Sequence, residues 1–121
     1  MPPDPRAKTL HDRERLRHML EAARDAVAFA SGRNRADLDS DRMLLHALVH
    51  CVEVIGEAAA RVSEITRQLH PILPWPKMVG MRHILIHAYF EIDADAVWRV
   101  VVEHLPDLIR ELEEALSNTP P

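Results

Sequence analysis

The strongest structural signal in this 121-residue chain lies in residues 40–69, which read SDRMLLHALVHCVEVIGEAAARVSEITRQL. The segment contains no proline, and its apolar residues recur at the three- and four-residue spacing of one helix face. They are Met43, Leu44, Ala47, Cys51, Val54, Ile55, Ala58, Val62, Ile65 and Leu69. The pattern predicts one long helix over 40–69, ended by Pro71 and Pro74. Gly56 inside this helix costs about 1 kcal/mol relative to alanine, so its presence predicts a close helix crossing.

A helix is also predicted before this segment, over residues 9–31. Its apolar stripe consists of Leu16, Met19, Leu20, Ala23, Val27 and Ala30. Thr9 followed by Asp12 is a weak capping-box signal, since aspartate stands in for the usual glutamate or glutamine. Gly32 suits the position just past a helix end.

Two further helices are predicted after the proline-rich connector at residues 71–76. The third helix is expected over 76–89, because proline is favoured in a first turn. Asp93 can cap a fourth helix that begins at about residue 94, and Pro106 must kink or split this helix near residue 104. The fold class predicted from these patterns is all-α, an up-and-down bundle of four to five helices.

Composition narrows the class of protein. Only 4% of the residues are aromatic, which fits β-rich folds poorly. A single cysteine excludes a disulfide framework and every multi-cysteine zinc motif. A net charge of −4 argues against nonspecific coating of nucleic acid. No apolar run approaches the roughly 20 residues of a membrane span, and no signal-peptide pattern follows the N-terminus. We therefore expect a cytoplasmic protein with one domain over 9–117 and frayed ends at 1–8 and 118–121.

The residues that carry chemistry are concentrated in residues 81–90, which read MRHILIHAYF. On a helix with about 100° per residue the polar side chains cover an arc of roughly 160°. Such an arc suits a cleft at a helix end or contact with a second subunit. An arginine can hold a phosphate, and a histidine can exchange a proton with ribose oxygens, so the set suits phosphoryl transfer without a metal. Interface, capping and packing roles for the same residues remain open.

The spacing Arg82-His83-x3-His87-x-Tyr89 resembles the signature of the HepT-like branch of HEPN-domain proteins. Other short segments agree with that family in order and spacing: Val54-Ile55-Gly56-Glu57-Ala58-Ala59, Pro74-Trp75, Phe90-Glu91-Ile92-Asp93, Val97-Trp98 and Leu105-Pro106-Asp107-Leu108. The resemblance covers residues 10–117. His83 occupies a polar position that is most often asparagine in this branch, which leaves its role open.

The resemblance implies an all-α, HEPN-like homodimer that acts as a metal-independent ribonuclease toxin of a two-gene toxin–antitoxin module and needs no cofactor. Its substrate would be RNA, and its partner a minimal, MntA-like nucleotidyltransferase antitoxin. Arg82 would stabilise the scissile phosphate and His87 would be the general acid/base, in a cleft at the dimer interface. Tyr89 would accept AMP from the antitoxin, which silences the nuclease.

Three alternatives stay open at this point. The bundle could be a catalytically silent docking or nucleotide-sensing subunit of the nucleotidyltransferase, as its net negative charge favours. The i,i+4 pairs His46/His50 and His83/His87 could hold a transition metal if they face one another. Glu57 could orient the Arg or His of the cleft, or it could be a surface or interface carboxylate.

Overall fold

The computed structural model of the chain describes residues 5–83, 86–87 and 91–118. Its helices are α1 (Pro5–Ala30), α2 (Asp37–Ser40), α3 (Arg42–Ala60), α4 (Glu64–Leu69), α5 (Trp75–Gly80), α6 (Ala94–Arg99) and α7 (Leu105–Asn118), and a π-helical turn covers Val100–His104. Two short strands, β1 (Ile86–His87) and β2 (Glu91–Ile92), pair antiparallel. The predicted all-α helical bundle is confirmed.

The core lies between α1, α3 and α7, with α1 in contact with both of the other long helices and α5 packed against α3. The apolar stripe predicted for α1 faces this core. The stripe predicted over 40–69 does so only in part, since Leu44, Cys51, Ile55 and Val62 are buried whereas Met43, Ile65 and Leu69 are exposed. Fully buried side chains include Leu16 and Met19 of α1, Leu48 and Ile55 of α3, and Leu112 of α7. Because burying one such side chain contributes about 1.5–3 kcal/mol, these stripes determine how the helices pack.

Helix α1 confirms the first predicted helix, with a different start. The helix ends at Ala30, and Gly32 adopts the left-handed conformation, with φ of 74°. It begins at Pro5, so Thr9 lies inside the helix and the predicted capping box is wrong. Asp12 instead accepts hydrogen bonds from residues at the start of α4.

The long helix predicted over 40–69 is in fact two helices, α3 and α4, separated at residues 61–63. The break has a physical cause in the buried carboxylate of Asp12, which is 1% exposed. Asp12 accepts hydrogen bonds from the backbone N–H of Ser63 at 3.1 Å, from the Ser63 hydroxyl, and from the Thr66 hydroxyl at 2.7 Å. Ser63 is also the N-cap of α4 and accepts from the Thr66 N–H. A polar anchor on α1 therefore starts a new helix where the apolar pattern predicts continuation.

The helix predicted over 76–89 is wrong beyond Gly80. Helix α5 ends there, residues 81–83 form a turn, and β1 pairs with β2 in the register Ile86 with Ile92 and His87 with Glu91. Glycine disfavours helix continuation, and isoleucine is favoured in extended backbone. The ladder hydrogen bonds then satisfy backbone groups that a helix would have satisfied internally.

The last helix is divided as its proline predicts. Asp93 caps α6 by accepting a hydrogen bond from the Ala96 N–H at 3.0 Å. The π-helical turn follows, and the Leu105 N–H donates to the Val100 carbonyl. Pro106 has no N–H to donate and its ring crowds the preceding turn, so the wider π turn accommodates it.

By length and composition alone, helix α3 is long and apolar enough to cross a membrane. No segment of this kind was expected from the sequence. Seven of its residues are buried in the protein core: Leu44, Leu48, Cys51, Val52, Ile55, Gly56 and Ala59. The core helix of a globular protein meets the same criterion, and the criterion therefore does not indicate a membrane protein.

Candidate functional site

The backbone of Arg82 is held against α3 at Gly56. A Cβ atom added at Gly56 would lie 2.6 Å from the Arg82 nitrogen and 2.9 Å from the Arg82 Cβ, closer than real Cβ contacts. Gly56 is thus required for a close approach, as predicted, although a turn rather than a helix lies against it. Met81, which is 2% exposed, anchors the same turn in the core. Arg82, the first residue of the motif Arg82-His83-x3-His87-x-Tyr89, therefore has a fixed backbone position on the bundle.

The side chains of Arg82 and His83 are brought together by this turn. The Arg82 guanidinium Nε donates a hydrogen bond to the Nε2 of His83 at 3.1 Å. Arg82 is half-buried and His83 is exposed. In the described part of the chain, no carboxylate forms an ion pair with Arg82. Its guanidinium can therefore meet an anionic ligand from solvent.

The two remaining motif residues are described less completely. The backbone of His87 lies in β1, opposite Glu91, five residues after Arg82. Tyr89 and the side chain of His87 lie outside the described residues. The joint action of Arg82 and His87, and the modification of Tyr89, therefore stay predictions.

Glu57 lies in a groove between α1 and α3 whose lining includes neither Arg82 nor His83. The groove has a volume of about 690 Å³ and is lined by His11, Glu14, Arg15, His18, His50, Glu53, Val54, Glu57, Ala58 and Arg61. Among the described residues, Glu57 makes no hydrogen bond to Arg82 or His83, so the structure offers no contact for the proposed supporting role. This groove was not predictable from the sequence, because its walls are formed by residues of α1 and α3 that are far apart in the chain.

The His46/His50 pair forms no metal site in what the structure describes, and the side chain of His87, the partner of His83, lies outside it. Within residues 11–83 and 92–118, no three His, Cys, Asp or Glu side chains gather in a group that could hold a metal ion. His46 and His50 are exposed on α3, and His50 borders the groove instead. The metal alternative gains no support from these positions.

Cys51 is buried in the core, as predicted, with 4% of its surface exposed. Burial raises the pKa of the Cys51 thiol to about 11, and the negative charge of Asp25 adds to the increase. The thiol therefore stays protonated at neutral pH and is a packing group rather than a nucleophile.

Comparison with known proteins agrees with the motif. The family model described as "Ribonuclease HepT-like" matches residues 19–115. A Methanocaldococcus jannaschii protein named "Putative RNase MJ1380" is 36% identical over 98 residues, covering 81% of this chain and 90% of that protein. "Putative RNase TTE0752" of Caldanaerobacter subterraneus subsp. tengcongensis is 31% identical over 103 residues, covering 85% and 92%.

A third relative carries the family name itself. "Probable ribonuclease HepT" of Thermococcus cleftensis is 37% identical over 78 residues, covering 64% of this chain and 71% of that protein. The comparison with solved structures found no match. Since the family model spans most of the chain and relatives above 30% identity align along most of it, the chain belongs to the HepT-like ribonuclease family.

Proposed function

We propose that the chain is a metal-independent endoribonuclease and the toxin of a two-gene toxin–antitoxin module. The observation that carries this proposal is the Arg82 turn, which seats the motif arginine on Gly56 of α3 with its guanidinium reachable from solvent. The relatives named as ribonucleases support RNA as the substrate. The working unit is a single domain over residues 9–117 that acts in the cytoplasm.

The proposed reaction is transesterification at a phosphodiester. His87 takes the proton of the ribose 2′-hydroxyl, the 2′-oxygen forms a bond to phosphorus, and the bond from phosphorus to the 5′-oxygen breaks. The protonated His87 gives a proton to the leaving 5′-oxygen, and the product carries a 2′,3′-cyclic phosphate. Arg82 stabilises the negative charge that builds up on the phosphoryl oxygens. The positive charge comes from the arginine, so the mechanism needs no cofactor.

The chain is proposed to work as a homodimer with the cleft at the interface. Support comes from α3, whose apolar segment is only 39% buried within one copy. Val54 and Ala58 of this helix line the α1–α3 groove, where they are only partly buried. Two copies that packed along this side of α3 would bury more of its apolar residues.

The proposed partner is a minimal nucleotidyltransferase antitoxin that transfers AMP to the Tyr89 hydroxyl. In this transfer the tyrosine oxygen bonds to the α-phosphorus of ATP and pyrophosphate leaves. An added nucleotide two residues from His87 would place a phosphate where RNA must bind. The Tyr89→Phe variant should accept no AMP from the partner, and intact-protein mass spectrometry measures the added mass. AMP found on this variant would contradict the assignment.

The experiment that tests the nuclease is cleavage of RNA by the purified chain with EDTA present. Wild type should cleave, and Arg82→Ala and His87→Ala should lose activity while keeping the circular dichroism and oligomeric state of wild type. His46→Ala, an exposed histidine on α3, is the matched control and should cleave normally. Cleavage that persists in His87→Ala, or that EDTA abolishes, would refute the mechanism.

The alternative function is a silent docking subunit of the nucleotidyltransferase. The net charge of −4 and the three glutamates of the α1–α3 groove favour a protein partner over RNA. Expression of the chain alone distinguishes the two functions. A nuclease should arrest growth, whereas a docking subunit should leave growth unchanged.

A further inference from the structure

The hydrogen bond between Arg82 and His83 determines which nitrogen of the imidazole is the acceptor. Arginine carries only N–H donors and no acceptor. Since the Arg82 Nε lies 3.1 Å from the His83 Nε2, that ring nitrogen must be the acceptor and must carry no proton. In this arrangement Nε2 of His83 is the acceptor, and Nδ1 is the ring nitrogen that carries the proton.

The same bond determines which edge of the guanidinium remains for a ligand. A guanidinium can bind a phosphate through its Nε and one terminal nitrogen, or through both terminal nitrogens. With Nε occupied by His83, the first mode is blocked. Both terminal nitrogens make no other hydrogen bond within the described residues, so they form the edge available to a phosphodiester.

Both ends of Arg82 are thus restrained by neighbours. Gly56 admits the Arg82 backbone at a distance that no larger residue allows, and the turn adds hydrogen bonds from Arg82 N to Val79 O and from His83 N to Gly80 O. His83 restrains the far end of the side chain. Arginine otherwise loses much rotamer freedom when it binds a phosphate, and a group held in advance avoids that loss.

We infer that His83 is a positioning residue that holds the guanidinium of Arg82 by its Nε and presents both terminal nitrogens to the scissile phosphate. This inference rests on the proposed ribonuclease function. His83 does not act as the general base in this state, because the lone pair of its Nε2 is engaged by Arg82. The role separates the two motif histidines, with His87 exchanging protons and His83 orienting the arginine.

The first test is a double-mutant cycle of His83 and Arg82, with cleavage of a short RNA substrate as the readout. His83→Ala should lower kcat by roughly tenfold to a hundredfold, as misplaced catalytic groups do, with KM changed less than threefold. His83→Gln should restore kcat to within about threefold, because its Oε1 can accept from the Arg82 Nε in place of the ring nitrogen. In the Arg82→Ala background, His83→Ala should have no further effect, since the two residues act as a unit. If His83→Ala lowered kcat equally in wild type and in the Arg82→Ala background, the inference would be overturned.

The second test needs no activity. Heteronuclear NMR of the imidazole nitrogens should show the His83 proton on Nδ1 in wild type, and loss of that preference in Arg82→Ala. A His83 proton on Nε2 in wild type would overturn the inference whether or not RNA is cleaved. Absence of cleavage with the proton on Nδ1 would instead refute the ribonuclease function alone. Thermal melting checks that His83→Ala is folded, as expected for an exposed side chain.

Discussion

The junction between α1 and α4 provides the sharpest test of how this fold is held together. Asp12 accepts three hydrogen bonds from Ser63 and Thr66, and it is almost fully buried. The Asp12→Ala variant leaves three donors without this acceptor, including the Thr66 hydroxyl, which is 3% exposed. A hydrogen bond to a charged group contributes about 1.5–3 kcal/mol, and removing the buried charge recovers part of that. We expect a net loss of about 3 kcal/mol.

This loss converts to a large change in melting temperature. Unfolding entropy of about 2.1 cal/mol/K per residue gives roughly 0.25 kcal/mol/K for a chain of this length. A loss of about 3 kcal/mol therefore corresponds to a melting temperature lower by about 12 °C. Asp12→Asn should fall between this variant and wild type, because the amide retains one acceptor oxygen but presents a donor to a site that already holds donors.

Thermal unfolding followed by circular dichroism measures the effect, with denaturant titration to give the free energy of unfolding. Glu21→Ala is the matched control, because Glu21 is an exposed acid on the same helix. Surface substitutions of this kind stay within about 0.5 kcal/mol. A melting temperature for Asp12→Ala within 3 °C of that control would refute the reasoning, since a buried carboxylate with three donors cannot be so weakly coupled to folding.

Three further predictions concern α3 and Asp41, whose side chain caps its N-terminus. Gly56→Ala should lower the free energy of unfolding by about 1–3 kcal/mol and reduce RNA cleavage, because the added Cβ would clash with the Arg82 backbone. Gly80→Ala is the control and should change neither quantity, since the space around its added Cβ is open. Equal melting temperatures for the two variants would contradict this prediction. The Arg33 guanidinium, which donates a hydrogen bond to Asp41, holds the pKa of that carboxyl below its ordinary value. Asp41 therefore stabilises the fold above the ordinary aspartate pKa and loses this contribution as the pH falls through the lowered pKa. Between neutral and acid pH the free energy of unfolding should fall less in Asp41→Asn than in wild type, as denaturant titration measures, and an equal fall in both would refute this. Cys51, with its pKa raised to about 11, should react with iodoacetamide at pH 8 far more slowly than a free thiol, and a rate equal to glutathione's would refute it.

The helices that pack by apolar periodicity were predictable from the sequence. The stripe of α1 is buried as its spacing predicts, the stripe over 40–69 is buried at Leu44, Cys51, Ile55 and Val62, and Pro106 produced the expected division near residue 104. Gly56 was also predictable as a point of close approach, since a glycine in a helix interior needs a packing reason. Each of these signals is local, within one turn or one helix face.

The break between α3 and α4 was not predictable, because its cause is 51 residues away in sequence. Ser63 is a good N-cap residue, but the apolar stripe continues through Val62, Ile65 and Leu69 and favours one helix. Asp12 itself suggests a local cap for the first helix rather than a partner for Ser63. Only the packing of α1 against the end of α3 brings the carboxylate to those donors, and periodicity holds no information on that contact.

The segment that carries the motif is also the one where local preferences conflict. Its apolar residues recur at helical spacing, yet Gly80 and the isoleucines at 84 and 86 favour a turn and extended backbone. The structure follows the second preference at β1 and ends the helix just before Arg82. Sequences that are consistent with one fold elsewhere commonly break local rules at functional sites. The early helix end has a direct consequence, because Arg82 lies in a turn rather than in a helix. In this turn its backbone packs against Gly56, and its guanidinium Nε donates a hydrogen bond to His83. A continuous helix would instead place the adjacent Arg82 and His83 side chains about 100° apart.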